Sequence, residues 1–295
     1  MREHIRISAA IIARNEASVI GGCLDSLQGV ADEVIVAIDD TTTDNTEEIA
    51  KEHGAHITHF HHQSNFDLSK QEAIDQCHGD WILLIDADER LSKPLQREIV
   101  QIVNLDLAGQ NDHQEQIEPH KKRIFLRHMH MLVSQGVIAS YPDTEPIVAY
   151  MFPRLNLFVN RYLRYGGIYP DGVLRLFKKG KARIAADTLH KQLEVHGRIG
   201  WTEGELLHRD SPTLARYLKR WYRYIDYLRE DMEKEKVSMG PITFVDWCIL
   251  KPLRWFITTY ILRRGFLDGW QGFVFCFFSS VRFAGAYYLY MRKSR

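Results

Sequence analysis

The first hundred residues alternate between two rhythms. Apolar runs over 5–13, 33–39 ("EVIVAID"), 55–60 ("AHITHF") and 81–86 predict four strands. The run from Trp81 to Ile85 has no polar position, as in a strand covered on both faces. Helical spacing fills the gaps: 17–27 after an Asn15 cap, then "TDNTEEIAKEHG", with acids in its first turn and Gly54 at its end. A third helix spans 67–78 and stops at Gly79, and Ser92 with Pro94 opens a fourth.

Strands alternating with short helices imply parallel βαβ units, hence an α/β fold whose strand carboxyl ends line one ligand-binding edge. That edge would collect Arg14, Asn15 and Glu16 after the first strand, Asp39 and Asp40 after the second, and Asp86 and Asp88 after the fourth. Further on, 104–122 is polar and reads as a surface connection, so a first domain is expected over 1–122. Residues 123–211 mix strand-like runs ("RIFLRHMHMLV", "GVLRLFKKG") with turns and predict a smaller mixed subdomain. From Pro212 helices dominate; Leu214, Tyr217, Leu218, Trp221, Ile225, Leu228 and Met232 make one apolar face.

Composition narrows the class. Apolar residues are 45% and charged residues 26% of the 295, which is ordinary globular composition. Bases and acids balance at 38 each, which argues against a nucleic-acid partner, yet from Lys251 onward Asp268 is the sole acid among eight bases. The four cysteines are widely separated, giving neither a zinc site nor a disulfide framework and fitting a reducing compartment. The N-terminal apolar run is short and is expected to be a strand rather than a secretion signal, so the chain is expected to start in the cytoplasm.

The chemistry concentrates in "WILLIDADERLS". Residues two apart in an extended segment point the same way, so Asp86 and Asp88 could offer two carboxylates to one cation or one sugar phosphate. Carboxylate oxygen suits Mg²⁺ or Mn²⁺, which also hold substrate phosphates and offset charge on a departing diphosphate. The plainer reading is that these acids cap the helix at Ser92. The first turn, "ARNEAS", has no glycine, so the dinucleotide fingerprint is missing, and there is no phosphate-loop motif.

"AAIIARNEASVIGGCLDSL", "ADEVIVAIDDTTTDNTEEIAKEHGA" and "GDWILLIDADERLS" resemble the nucleotide-sugar half of family 2 glycosyltransferases of the GT-A fold, a Rossmann-like sheet flanked by helices. "YGGIYPDGVLRLFKKGKARI" and "RRGFLDGWQGF" resemble the lipopolysaccharide-core β-glucosyltransferase branch. The resemblance implies an inverting transferase taking a nucleotide-diphosphate sugar, a UDP-sugar first, to a lipid-linked glycan or lipopolysaccharide-core acceptor. It implies that Asp39 bonds the nucleobase beside Arg14–Glu16, Asp86 contacts ribose or sugar, and Asp88 ligates Mg²⁺ or Mn²⁺. Lys70 and Arg175 would face the donor. The chain departs from the family at "DDTTTD", where Asp40 adds a carboxylate, and at His190–Lys191, where the family has His-Glu.

Inversion needs an acceptor-side base, usually a carboxylate. Asp171, in a Pro-Asp-Gly turn sequence, is the first candidate, Glu194 the second and Asp187 the third. His208 is a candidate further metal ligand, as some GT-A enzymes supply one from that region. His56, His59, His61 and His62 read as surface or packing residues. Residues 265–281, apolar and bordered by arginines, predict a shallow anchor on the cytoplasmic leaflet of the inner membrane, against a buried helix or a span. Two other functions stay open. A nucleotidyltransferase would carry a glycine-rich loop at the first strand; a silent membrane-associated glycan binder would not need Asp86 and Asp88.

Overall fold

A computed structural model describes residues 4–62, 66–134, 138–184 and 193–293. Asp187, His190 and Lys191 lie outside the described residues. The chain forms two compact units, residues 1–154 with 171–208, and residues 155–170 with 209–295. Most of the expected first domain and mixed subdomain fall together in the first unit.

Unit one begins with β1 (Ile7–Ala13), α1 (Ile20–Leu27), β2 (Glu33–Asp39), α2 (Thr46–Glu52), β3 (His56–Phe60), α3 (Phe66–Asp75) and β4 (Trp81–Asp86). The four strands are mutually parallel in the order β3-β2-β1-β4. Alternate residues of β4 enter separate cores: Trp81, Leu83 and Ile85 pack in one, Ile82 and Leu84 in the other. β1 divides likewise, with Ile7, Ala9, Ile11 and Ala13 facing one core and Ala10 and Ile12 the other. Burial on both faces removes the need for polar alternation, which is why these strands read as unbroken apolar runs. This is the expected α/β sheet, its parallel strands ending along one edge.

The next elements are β5 (Glu89–Leu91), α4 (Lys93–Ile102), α5 (Leu107–Gln116) and α6 (Pro119–Ser134). Ser92 caps α4, its hydroxyl accepting from the Leu95 amide at 3.3 Å. The expected polar connection over 104–122 is instead α5 and the start of α6. α5 starts on an Asp106 cap and docks through amide side chains: Gln110 accepts from Ile147 N at 2.8 Å and Gln114 from Trp201 N at 2.9 Å. A helix held by glutamines carries no apolar stripe for periodicity to find. "RIFLRHMHMLV" is likewise helix, not strand; its inner side is Phe125, His128, Met129 and Leu132, at helical spacing.

Beyond α6 come β6 (Ile147–Phe158), β7 (Arg161–Tyr162), β8 (Asp171–Lys178), β9 (Ala182–Ile184), β10 (Leu193–Val195), β11 (Arg198–Trp201) and β12 (Leu206–Ser211). β8 joins β4 antiparallel, and β6 joins β8. β12 pairs antiparallel with β5, Leu207 opposite Arg90 and His208 opposite Glu89.

Unit two contains α7 (Leu214–Lys234), α8 (Pro241–Val245), α9 (Lys251–Phe256) and α10 (Gly269–Lys293). Tyr217, Ile225 and Met232, from the expected face of α7, are buried. The Trp221 indole donates to Phe278 O at 2.6 Å, and Gly285 admits Ile225, whose Cδ1 would lie 2.9 Å from a Cβ there. Gly265–Lys293 is long and apolar enough to cross a bilayer by length and composition. Asp268, the acid interrupting that run, is buried and accepts from the Arg164 and Tyr165 amides at 3.0 and 2.8 Å.

The segment before it is more exposed. α8 and α9 join π-helical turns at Asp246–Leu250 and Ile257–Leu262. Ile242, Val245, Ile249, Leu253, Ile257 and Ile261 recur mostly every fourth residue, and all are exposed, Ile242 by 87%. In an α-helix a step of four drifts by about 40°. The wider π turns offset that drift and keep the stripe nearer one face.

Candidate active site

The edge chemistry follows from register. Ile12 pairs with Asp86 across β1 and β4, so the chain leaving β1 at Arg14–Glu16 emerges beside the turn leaving β4. Arg14, Glu16, Lys70, Asp86, Ala87, Asp88 and Ile12 line a cleft of about 270 Å³.

Within the turn the acids have separate environments. Asp86 accepts from Lys70 Nζ at 2.9 Å through Oδ1 and from the Arg175 guanidinium through Oδ2. Glu89 is fully buried; its Oε1 accepts from Arg175 at 2.7 Å and Arg154 at 3.3 Å, and its Oε2 accepts from the Asp86 amide at 3.1 Å. Glu89 thus closes the turn from beneath. Burial alone would push the Asp86 carboxyl up; the Arg175 and Lys70 charges reverse that and hold it well below the usual carboxylate range. Arg175 is also buried, where desolvation favours loss of its proton, but Asp86 and Glu89 strengthen its hold. The guanidinium bridges two carboxylates from inside the fold.

Asp88 faces a different partner. Its Oδ2 lies 3.5 Å from His208 Nε2, with both side chains mostly buried. Two donors at that separation can bind one cation at bond lengths of about 2.1 Å. No group of three or more His, Cys, Asp or Glu suited to a metal occurs among the described residues. A divalent ion here fits as one held by two protein ligands, with phosphate oxygens and water completing its shell.

Asp39 is buried and accepts from Thr41 N at 2.9 Å, Thr41 Oγ1 at 2.5 Å and His62 Nδ1 at 2.7 Å. Desolvation raises its pKa, but the Thr41 and His62 bonds outweigh it and leave the carboxyl lowered. His62, partly exposed, also lies 3.3 Å from Arg14 Nη1. Asp39 therefore meets the exterior through His62, and Asp40 is bonded to His61 at 2.8 Å. Asn15, in a left-handed conformation, accepts from Thr43 N at 2.8 Å and ties the first two edge loops together.

A second cavity, about 310 Å³, adjoins through Lys70, which lines both. Asp171, Arg175, His128 and apolar residues including Leu84, Leu132 and Met151 complete it. Asp171 opens β8 and is held by Arg154, with Nη2 at 2.6 Å and Nε at 3.0 Å. Gly172 beside it is required: a Cβ there would sit 2.7 Å from the Trp201 ring. Glu194 lines neither space; it pairs with Arg183 at 3.1 Å on the β9–β10 hairpin.

Glu89, Arg154 and His62 are the participants that motif reading passes over. Arg154 had a signal, a lone cation in the apolar strand sequence "AYMFPRL". Glu89 had none, because its sequence context does not distinguish it from Asp88.

Residues 8–128 match the family model described as glycosyl transferase family 2. An uncharacterized glycosyltransferase of Rickettsia prowazekii (strain Madrid E) is 27% identical over 293 residues, spanning 98% of this chain and 87% of that one. A lipopolysaccharide core biosynthesis glycosyltransferase of Rhizobium meliloti (strain 1021) is 24% identical over 294 residues, spanning 94% and 91%. Among solved structures, a mannosyltransferase of Pyrobaculum calidifontis in complex with GDP-Man and Mn²⁺ aligns over 100% of this chain and 89% of that one, at 11% identity and a TM-score of 0.48.

Proposed function

We propose that this chain is a family 2 glycosyltransferase, as the match of residues 8–128 to that family supports, and that it moves a sugar, with inversion, from a nucleoside-diphosphate donor to a lipid-linked glycan or lipopolysaccharide-core acceptor. A UDP-sugar is the first donor to test. The observation that carries this reading is the single cleft uniting Arg14, Glu16, Lys70, Asp86 and Asp88 at the ends of parallel strands. The similarity to a lipopolysaccharide core biosynthesis glycosyltransferase supports the acceptor class.

In this reading the Arg14–Glu16 turn and the Asp39–His62 pair hold the nucleoside, and Asp86, fixed by Lys70 and Arg175, receives ribose or sugar hydroxyls. Asp88 and His208 would hold Mg²⁺ or Mn²⁺, which when bound would supply positive charge to offset that of a departing diphosphate. Asp171 is the base: it takes the acceptor hydroxyl's proton as that oxygen bonds the anomeric carbon and the bond to diphosphate breaks. Arg154 keeps its carboxylate aimed. Asp171 precedes Glu194 because it shares a cavity with Lys70 and Arg175.

We place the enzyme in the cytoplasm, peripheral at the inner membrane, with 212–295 as the membrane-associated region. The apolar stripe from Ile242 to Ile261 supports this, and it lies N-terminal to the 265–281 anchor. A panel of nucleotide sugars with Mn²⁺ or Mg²⁺, with and without membrane lipid extract, tests the whole. Nucleoside diphosphate release with one donor, stimulated by the extract, is expected. No release from any donor would refute the reading.

A further inference from the structure

α6 has two unlike faces. Its inner side buries Phe125 and Leu132, and His128 and Leu132 form part of the cavity wall that also includes Asp171. Its outer stripe is Arg123, Leu126, Arg127 and His130, at the i, i+3, i+4, i+7 spacing of one helical face, extended by exposed Met131 and Val133. Leu126 is 56% exposed. From Pro119 to Ser134 there is no acid, while Lys121, Lys122, Arg123 and Arg127 are all basic. Lys121 donates to Glu203 O at 3.1 Å, but among the described residues no carboxylate pairs with Lys122, Arg123 or Arg127. The chain is neutral overall, so this charge is local.

We propose that the outer face of α6 is a docking surface for anionic lipid headgroups, separate from the C-terminal helices. Cations interleaved with exposed Leu, Met and Val match a bilayer interface, where charge meets phosphate and the apolar side chains enter the acyl boundary. A nucleic acid would leave those apolar side chains uncovered. The consequence is positional. A helix with its side chains is about 10 Å across, so a docked α6 holds the cavity wall within one helix diameter of the headgroups. An acceptor hydroxyl carried on a lipid would arrive there without leaving its membrane. This rests on the glycosyltransferase reading only for its purpose; lipid contact itself is independent of catalysis.

Hydrogen exchange on the full chain tests it, with vesicles of phosphatidylcholine alone or with about a third phosphatidylglycerol. Peptides covering 123–133 should gain protection with the anionic vesicles and not with the neutral ones. Arg123→Glu with Arg127→Glu should abolish that protection and weaken partition into anionic vesicles at least ~10-fold, while nucleoside diphosphate release from the soluble donor is unchanged. Leu126→Ser with Met131→Ser should weaken it to a smaller degree. Absent protection in the wild type, unchanged partition in both variants, or stronger protection by duplex DNA or RNA than by vesicles would each overturn the proposal. If protection appears but no donor is turned over, lipid docking stands and the transferase reading fails.

Discussion

The turn over 86–89 and the helical stretch over 241–262 break the burial rule in opposite directions. The turn puts charge inside: Glu89 is fully buried and Arg175 nearly so. The helical stretch puts apolar surface outside, with Leu262 71% and Leu253 54% exposed. In the turn each buried charge is matched by an opposite one, so the cost of desolvation is met within the fold. The stripe has no such match among the described residues. Partnered exceptions build a rigid frame, whereas an unpartnered apolar face points to something outside the chain.

The largest effect should come from breaking the frame. Glu89→Gln keeps the side chain's size but leaves Arg175 and Arg154 short of a counter-charge, and should cost about 3–5 kcal/mol in urea unfolding. A loss below 1 kcal/mol would mean that Asp86 and Asp171 alone balance both guanidinium groups. Asp88→Asn lies at the rim of the same turn and should behave differently. It should lower sugar transfer on the order of 10²–10³-fold, with little change in unfolding midpoint. Unaltered transfer in a folded sample would remove Asp88 from the reaction.

On the apolar side, Leu253→Ser and Ile257→Ser should each reduce membrane partition roughly 10-fold and leave the unfolding midpoint nearly unchanged. A large drop in stability would instead show that the stripe is covered within the chain. Acid titration should give the smallest response. Asp86 and Asp39 have folded pKa values below their unfolded ones, so their stabilisation is complete above about pH 3.9 and is lost as pH falls through the folded values. Between pH 8 and 5 neither should alter the urea midpoint; a gain in stability on acidification through that window, abolished by Asp86→Asn or Asp39→Asn, would reverse the sign.

How much of this was legible depended on what held each element. β4 and β1 were plain because burial on both faces leaves an unbroken apolar run. α7 was plain because its stripe is apolar. α5 was invisible because Gln110 and Gln114 anchor it through amide hydrogen bonds, and α6 passed for a strand because its outer face is also partly apolar. At the site, the sequence offered the acids but not their pairing. Whether Asp86 turns to Arg175, or Asp88 to His208, depends on β8 and β12 returning from more than eighty residues away. Asp39 illustrates the same limit: nothing in "EVIVAID" foretells that Thr41 and His62 bond its carboxylate.

One small contact has a practical reach. α1 carries Gly21 and Gly22, and a Cβ at Gly22 would fall 2.0 Å from the Arg90 guanidinium, so the helix presses directly on the strand after the acid turn. Cys23, next in line, is fully buried with its Sγ 3.6 Å from Asp86 O, and burial together with the nearby carboxylates pushes its thiol pKa well up. That sulfur is a built-in gauge: an alkylating reagent reaches it only when the floor beneath the turn lifts, so its labelling rate clocks how often the acid edge comes apart.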